Sequence, residues 1–237
     1  SGGDGTVSAI AGATIQTNIP LGVIPRGTAN AFSVAMGLPT DLRQACEAIA
    51  AGNTRVVDAA YCNDIPMILL AGLGFEAEMV DNANRELKNQ LGTLAYVLSG
   101  AQQLFSQELF RAKIEIDGET IEFDTAAVTV ANAAPATSVT AQGFGEVIPD
   151  DGLLEITIPI PQTRLQGVNM MASLFTSALV KSQFERDDVV CLRTNQLKVT
   201  TEPPQKLVVD GELCEANPIE FRCVPGGLTI FSPLLTV

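Results

Sequence analysis

Two short segments near the start of the chain have the composition of phosphate-binding loops. The first, Gly2–Thr6 (G-G-D-G-T), leads directly into a stretch predicted to be helical, Thr6–Ala13. The second, Pro25–Asn30 (P-R-G-T-A-N), follows a predicted buried strand at Leu21–Ile24 and precedes a short predicted helix. Glycine lets the backbone approach a polyphosphate, and N–H groups at a helix start favour negative charge. Each loop alone also fits an ordinary turn or helix entry, but the pair predicts a shared anion site.

Carboxylates are the second residue type here that could do chemistry. In Asp210-Gly211-Glu212, residues i and i+2 of an extended chain would point to the same face. One carboxylate could then order metal-bound water while the other accepts a proton from a hydroxyl. The same three letters recur at 117–119, between two alternating strands, where a hairpin turn is the better interpretation. Local sequence does not separate the two copies.

The segment Pro149–Leu153 (P-D-D-G-L) offers a further carboxylate in a tight turn. A hard cation binds oxygen ligands, and an Asp-Gly turn supplies one carboxylate together with nearby carbonyls. A plain β-turn before the predicted strand Leu154–Ile160 explains the same residues without any metal. Both interpretations stay open on the residues alone.

Composition excludes several other classes of function. The chain of 237 residues has 27 Asp+Glu against 14 Lys+Arg, a net charge of −13, and no histidine. The negative balance argues against nucleic acid as a partner, and the lack of histidine removes Ser-His triads and imidazole bases. Five cysteines without a C-x-x-C pair indicate buried thiols rather than a zinc ribbon. No apolar stretch is long enough to span a bilayer and no signal peptide is recognisable, so we expect a soluble cytoplasmic protein.

The predicted elements divide the chain at residues 54/55. Residues 1–54 read as a partial α/β domain, and residues 55–237 as a largely β domain of antiparallel sandwich or barrel type. Two helical segments interrupt the β pattern, at Asp81–Phe105 and Arg164–Phe184. The predicted strands are Arg55–Tyr61, Met67–Leu70, Ala112–Ile116, Thr120–Phe123, Ala126–Val130, Leu154–Ile160, Gln196–Thr200, Lys206–Val209, Ile219–Cys223 and Leu228–Phe231.

Taken together, the motifs resemble those of the soluble lipid kinases, the family of diacylglycerol kinases, sphingosine kinases and bacterial lipid kinases. The resemblance runs over almost the whole chain and rests on six ordered motifs. They are G-G-D-G-T at 2–6, P-x-G-T-x-N at 25–30, A-G-L-G-F-E-A at 71–77, L-G-T-L-A-Y at 91–96, P-D-D-G-L-L at 149–154 and V-D-G-E at 209–212. It implies a partial phosphofructokinase-like nucleotide-binding α/β domain, followed by an antiparallel β-sandwich that takes the lipid.

The resemblance also assigns roles to residues. Glu212 would be the general base, with Asp210 and Asp4 in the catalytic Mg²⁺ network. The structural Mg²⁺ would bind the Asp151 side chain and the backbone carbonyls of Ile148 and Leu153. The nucleotide side would consist of Gly3, Asp4, Gly5, Thr6, Gly27, Thr28 and Asn30.

Cofactors and partners follow from the same resemblance. They are Mg²⁺, ATP as co-substrate and a lipid at the membrane surface, which the protein would meet from the cytoplasm; the oligomeric state is open, with a homodimer as one option. Many members have Asp after the motif asparagine, where this chain has Ala31. The chain begins at its phosphate loop, so we expect strands of the nucleotide domain to precede it and this fragment alone to bind ATP weakly or not at all. The rival hypotheses are an NAD kinase and a catalytically inactive lipid-binding regulator.

Overall fold

The computed structural model describes residues 1–74, 109–160, 163–181 and 186–233. Three helices come first, and a fourth interrupts the strands that follow. The helices are α1 (Asp4–Thr14), α2 (Ala31–Ala35), α3 (Leu42–Ala50) and α4 (Arg164–Val180). The strands are β1 (Thr54–Cys62), β2 (Ile65–Met67), β3 (Leu70–Gly74), β4 (Phe110–Ile116), β5 (Glu119–Thr125), β6 (Ala127–Ala131), β7 (Leu154–Pro159), β8 (Val189–Thr194), β9 (Gln196–Glu202), β10 (Leu207–Val209), β11 (Glu212–Cys214) and β12 (Ile219–Phe231).

The strands form two six-stranded antiparallel sheets that pack face to face. One has the order β2-β1-β12-β9-β4-β5, and the other the order β11-β10-β3-β6-β7-β8. Side chains alternate across each sheet: on β4, Phe110, Ala112 and Ile114 are buried, while Arg111 between them is exposed. Apolar residues from both inner faces form one continuous core. This arrangement is the β-sandwich that the sequence predicted.

A second core joins the N-terminal helices to the sandwich. Val7 and Ala11 of α1 and Phe32 of α2 share it with residues of β1 and β12. The contact between α1 and β2 is close, since a Cβ on Gly12 would lie 2.8 Å from Pro66 Cβ. The two glycine-rich loops therefore have a fixed position on the sandwich. β1 begins at the predicted change of pattern, but the division into two domains there stays a prediction.

The helix predictions hold better than those for short strands. The stretch predicted at 6–13 is α1, and the one predicted at 164–184 is α4, which begins with a capping box made by Thr163 and Gln166. The predicted helix Asp81–Phe105 lies outside the described residues. No helix in the described part of the chain has the length and apolar character of a membrane span.

The predicted strand at Leu21–Ile24 is wrong. This segment makes only isolated parallel bridges, Leu21 to Ile230 and its neighbour Pro25 to Gly2. Leu21 and Val23 pack in the second core, but the hydrogen bonds of the segment go to two separate partners, so no ladder forms. The apolar residues correctly indicated that the segment is partly buried. A strand also needs a ladder of hydrogen bonds to a neighbouring strand, and this segment has none among the described residues.

Candidate functional site

The two glycine-rich loops lie against each other. The N–H of Arg26 donates to the carbonyl of Gly2 at 2.9 Å, and the N–H of Gly2 donates to the carbonyl of Ile24 at 3.2 Å. One residue further on, a Cβ added to Gly27 would lie 2.9 Å from Gly3 Cα, closer than real Cβ contacts allow. Only glycine fits there. The sequence placed the two loops in one site, and the structure brings them together.

Asn30 fixes the shape of the second loop. Its Oδ1 accepts a hydrogen bond from the N–H of Gly27 at 2.8 Å, and its Nδ2 donates to the carbonyl of the same residue at 3.0 Å. Asn30 itself is left-handed, with a φ of 48°, a conformation that asparagine tolerates better than most residues. It precedes α2, but its side chain closes the loop instead of capping the helix. Thr28 is left exposed at the tip.

The first turn of α1 is open toward these loops. Gly3 is the N-cap residue, and no side chain in the described part of the chain caps the helix. Gly5 and Thr6 are exposed, and the N–H groups of a first helical turn have no partner within the helix. Asp4 connects the two helices, since its Oδ1 accepts a hydrogen bond from the N–H of Phe32 at 3.3 Å. The glycine cradle and the uncapped turn fit the phosphates of a nucleotide.

Gly27→Ala tests the contact between the two loops. We expect the free energy of unfolding to fall by about 1–3 kcal/mol, because the new methyl group meets backbone that cannot move aside cheaply. Gly3→Ala is the matched comparison, since its Cβ would lie 3.4 Å from Gly27 Cα, an ordinary contact. Thermal unfolding of both variants of the full-length protein measures the difference, and equal losses of stability would contradict this packing.

The carboxylates of Asp210 and Glu212 belong to a hairpin turn, so the extended-chain interpretation of this pair is wrong. Asp210 and Gly211 have φ values of 49° and 91°, and Val209 pairs with Glu212 across the turn. These values are those of a type I′ turn, which Asp-Gly favours. The other copy, Asp117-Gly118, has 53° and 82° and confirms its predicted hairpin. The two copies therefore share their local backbone.

Asp210 differs from Asp117 in what its carboxylate touches. Its two oxygens accept hydrogen bonds from the N–H groups of Ile68 at 2.9 Å, Leu69 at 2.9 Å and Leu70 at 3.1 Å, and from the hydroxyl of Ser8. Burial raises the pKa of the Asp210 carboxyl, and these hydrogen bonds oppose the rise. Asp210 therefore clamps the bend between β2 and β3 and joins it to α1. Its predicted part in a Mg²⁺ network stays a prediction.

This bend also corrects a predicted strand. The pattern at Met67–Leu70 predicted one continuous strand, but the chain leaves β2 at Met67 and enters β3 at Leu70. Between them, the N–H groups turn to the Asp210 side chain instead of to a neighbouring strand.

Glu212 follows the turn and lies beside the first turn of α1. A Cβ on Gly5 would be 3.4 Å from Glu212 Oε1. The glutamate is exposed. Cys62 and Cys223, in contrast, are buried thiols whose pKa burial raises to about 12 in each case, so neither is a nucleophile near neutral pH. The candidate active site thus combines two glycine loops, an open helix start and a carboxylate, drawn from both ends of the chain.

The predicted cation turn is ordered by its own hydrogen bonds. The exposed Asp151 accepts a hydrogen bond from the N–H of Leu153 at 3.0 Å through its Oδ1. No cluster of three or more acidic, cysteine or histidine side chains is present among the described residues, so any cation here needs backbone carbonyls, such as those predicted at Ile148 and Leu153. The turn offers a carboxylate with oxygens of this kind around it, which suits Mg²⁺.

Glu155 adds a second observation in favour of a cation. It is 2% exposed, and its Oε2 has no hydrogen-bond partner, while its Oε1 accepts from Arg193 Nη2 at 2.6 Å. Burial raises the pKa of Glu155 to about 7; Arg193 acts against this rise, and the nearby Asp151 carboxylate adds to it. A buried carboxylate oxygen without a hydrogen-bond donor, close to a second carboxylate, fits a nearby cation.

Sequence reasoning missed Ser8, Asp58 and Glu155. Ser8 had no local signal, because its partner is 202 residues away. Asp58 and Glu155 did have one: each is a charged residue inside an apolar strand pattern, and both are buried, at 3% and 2% exposure. A buried carboxylate needs partners, so such a residue marks a hydrogen-bonded or ionic site.

An open helix start with two glycine loops packs on an antiparallel sandwich beside a carboxylate hairpin, an arrangement that suits a phosphate-binding protein. The model of the diacylglycerol kinase catalytic domain matches residues 1–62, and that of the YegS C-terminal NAD kinase beta sandwich-like domain matches residues 70–232. The chain belongs to the diacylglycerol-kinase-like lipid kinase family.

The chain is also similar to individual relatives and to solved structures. An uncharacterized protein of Synechocystis sp. is 58% identical over 99% of the chain, which spans 54% of that protein. The diacylglycerol kinase of Bacillus subtilis is 29% identical over 93% of the chain and 72% of its own length. The crystal structure of a protein described as a diacylglycerol kinase from Bacillus anthracis str. Sterne is similar to this chain, with a TM-score of 0.77 and 25% identity. The match covers 99% of this chain and 77% of that one. The chain therefore spans about half to three quarters of the proteins that it resembles.

Proposed function

We propose that this protein transfers the γ-phosphoryl group of ATP to a hydroxyl group of diacylglycerol or a related lipid. The observation that carries the proposal is the approach of the Glu212 carboxylate to the first turn of α1, 3.4 Å from where a Cβ on Gly5 would lie. A phosphate bound at this helix start would lie beside the one exposed carboxylate of the hairpin 209–212. Membership of the lipid kinase family supports the same class of reaction.

Each part of the site has a task in phosphoryl transfer. Catalysis of this reaction depends mostly on positioning and on neutralising phosphate charge. The glycine backbone at Gly3, Gly5 and Gly27 would hold the phosphates, and Asn30 keeps the second loop in shape for them. Glu212 would accept the proton of the lipid hydroxyl. Asp210 would hold the hairpin that carries this base, through its hydrogen bonds to the bend at residues 68–70.

Magnesium would be held at two places. Asp4 and Asp210 are proposed for the network near the nucleotide. Because both oxygens of Asp210 already accept hydrogen bonds, it would take part through water and not as a direct ligand. Asp151 with the carbonyls of Ile148 and Leu153 forms the proposed structural site. A Mg²⁺ ion that accompanies the nucleotide would neutralise charge on the phosphate oxygens. The protein would act from the cytoplasm on lipid at a membrane surface.

An inactive lipid-binding regulator is the alternative, and Ala31 favours it. Ala31 is the first residue of α2 and packs against the second core, so the position offers no carboxylate to a metal. If the regulator hypothesis is right, lipid binding persists without any phosphoryl transfer.

A transfer assay on the full-length protein separates these functions. Purified protein is incubated with Mg²⁺-ATP and, separately, diacylglycerol, ceramide, a sphingoid base, phosphatidylglycerol and NAD. We expect transfer to one lipid acceptor. Transfer to NAD alone would assign the protein to the NAD kinases. Binding of the protein to lipid vesicles without transfer to any acceptor would support the regulator hypothesis.

A further inference from the structure

Asp58 is a buried carboxylate in the middle of β1. It lies at a β-bulge: Val57 pairs with Leu228 and Ala59 with Val224, so residues 225–227 of β12 lie opposite Asp58. The residue is 3% exposed. None of the six motifs discussed above includes it, and neither the glycine loops nor the hairpin 209–212 contacts it through a hydrogen bond among those described.

Its hydrogen bonds hold both ends of the turn Pro149–Gly152. The N–H of Asp58 donates to the carbonyl of Pro149 at 2.7 Å, and the N–H of Gly152 donates to Asp58 Oδ2 at 2.7 Å. The other carboxylate oxygen, Oδ1, accepts from the N–H of Gly226 in the bulge at 2.7 Å. Such short bonds to a carboxylate are the strong kind. The turn is therefore fixed to two strands through one residue.

This anchoring leaves the carboxylate of Asp151 exposed. Both oxygens of Asp58 are already used by backbone N–H groups, whereas Asp151 is exposed, with its Oδ1 oriented by the N–H of Leu153. Asp58 thus holds the backbone of the turn that carries Asp151. Its own carboxylate is buried and is not available to an ion. A ligand set that is held in place before the ion arrives binds it more tightly.

We propose that Asp58 is the positioning residue of the cation-binding turn, holding Asp151 and the carbonyls of Ile148 and Leu153 for Mg²⁺ without contacting the ion. The proposal rests on the structural Mg²⁺ site put forward under the proposed function. It extends that site to β1 and to the bulge of β12. The same bulge receives the end of α1, because the N–H of Gln16 donates to the carbonyl of Gly227 at 2.8 Å.

Magnesium titrations of the full-length protein test this proposal without reference to activity. The apparent Kd for Mg²⁺ is measured by calorimetry, and the rise in Tm on adding MgCl₂ is measured in parallel. We expect Asp58→Asn to raise the Kd by about 10–100-fold, as loss of an outer-shell partner does, and to remove most of the Mg²⁺-induced rise in Tm. Asp150→Asn, an exposed neighbour in the same turn with the same change of charge, should keep most of both.

The variants distinguish failure of this inference from failure of the metal site. If Asp151→Asn binds Mg²⁺ as the wild type does, or if the wild type does not bind it, the metal site is wrong and the role of Asp58 falls with it. If Asp151→Asn loses Mg²⁺ but Asp58→Asn keeps the wild-type Kd at a lower Tm, the metal site stands and Asp58 is only a stability residue.

A measurement on the wild type covers the case in which Asp58→Asn does not fold. The amide resonances of Gly152 and Gly226 are followed by NMR during the addition of MgCl₂. Because both amides donate to the same carboxylate, we expect them to shift together, while the amide of Gly118 in the distant hairpin 117–119 stays in place. A shift of Gly152 without Gly226, or of neither, would overturn the proposal.

Discussion

Glu212→Gln is expected to lower kcat for lipid phosphorylation by about 10²–10⁴-fold, the usual contribution of a general base. The amide has nearly the shape of the carboxylate but cannot accept the proton of the lipid hydroxyl. The KM for ATP should change little, because the phosphates would be held by backbone at the glycine loops and by the start of α1. Initial rates with Mg²⁺-ATP and the lipid found in the acceptor assay measure both constants.

The chain contains a matched control for this substitution. Glu119 occupies the same position after an Asp-Gly type I′ turn and is also exposed. Glu119→Gln therefore repeats the change of charge and shape in the same local structure, at a hairpin remote from the glycine loops. We expect it to keep wild-type kcat and KM. Equal effects of the two substitutions, or a Glu212→Gln protein with more than a tenth of wild-type kcat, would remove Glu212 as the base.

The pair of Asp-Gly-Glu segments also shows what local sequence can predict. The letters specify a type I′ turn in both places, and the structure has one in both places. What separates them lies far along the chain: Asp210 meets the amides of residues 68–70, about 140 positions away, whereas Asp117 is exposed. Such a difference arises from packing, so the family resemblance could select the C-terminal copy while the residues themselves could not.

Strand β12 also depends on a contact that is distant in the sequence. Two strands were predicted, Ile219–Cys223 and Leu228–Phe231, because Pro225-Gly226-Gly227 reads as a turn. The structure has one strand of 13 residues with a bulge at this point. Gly226 adopts a φ of 61° and donates its N–H to the buried Asp58. The sequence correctly indicated a left-handed glycine here. The strand continues through it as a bulge because Gly226 binds Asp58, which lies on another strand.

The strands of the sandwich and the glycine loops were predictable because each depends on a repeated pattern or on the residue types of a short segment. Alternation of apolar residues predicted most strands of the sandwich. The two glycine loops were predicted to lie together, and the structure brings them into contact; the anion that they would bind stays a prediction. The strands β8 and β11 were missed. Each of their residues except Thr194 is only partly buried or exposed, so the apolar signal that marks a core strand is weak there.

Asp210→Asn is expected to lower the free energy of unfolding by about 2–4 kcal/mol. The substitution keeps a residue that tolerates the left-handed conformation of the turn, so the loss isolates the carboxylate. One oxygen becomes an NH₂ group that cannot accept from the N–H of Ile68 or the hydroxyl of Ser8, and a buried donor without an acceptor is costly. For a chain of this size, 3 kcal/mol corresponds to a fall in Tm of about 6–12 °C.

Asp117→Asn is the control for this effect, because it makes the same change in the same type of turn with an exposed side chain. We expect its Tm to stay within about 1–2 °C of the wild type, since exposed substitutions change stability by less than about 0.5 kcal/mol. Ser8→Ala should lower the Tm by part of the Asp210→Asn loss and add little to it in the double variant, because both remove one shared hydrogen bond. If Asp210→Asn loses activity while its Tm stays at the wild-type value, Asp210 acts on the reaction directly and the clamp is not its main role. Loss of both, with Ser8→Ala following only the Tm, would show that the carboxylate stabilises the hairpin and that the hairpin holds Glu212 in place.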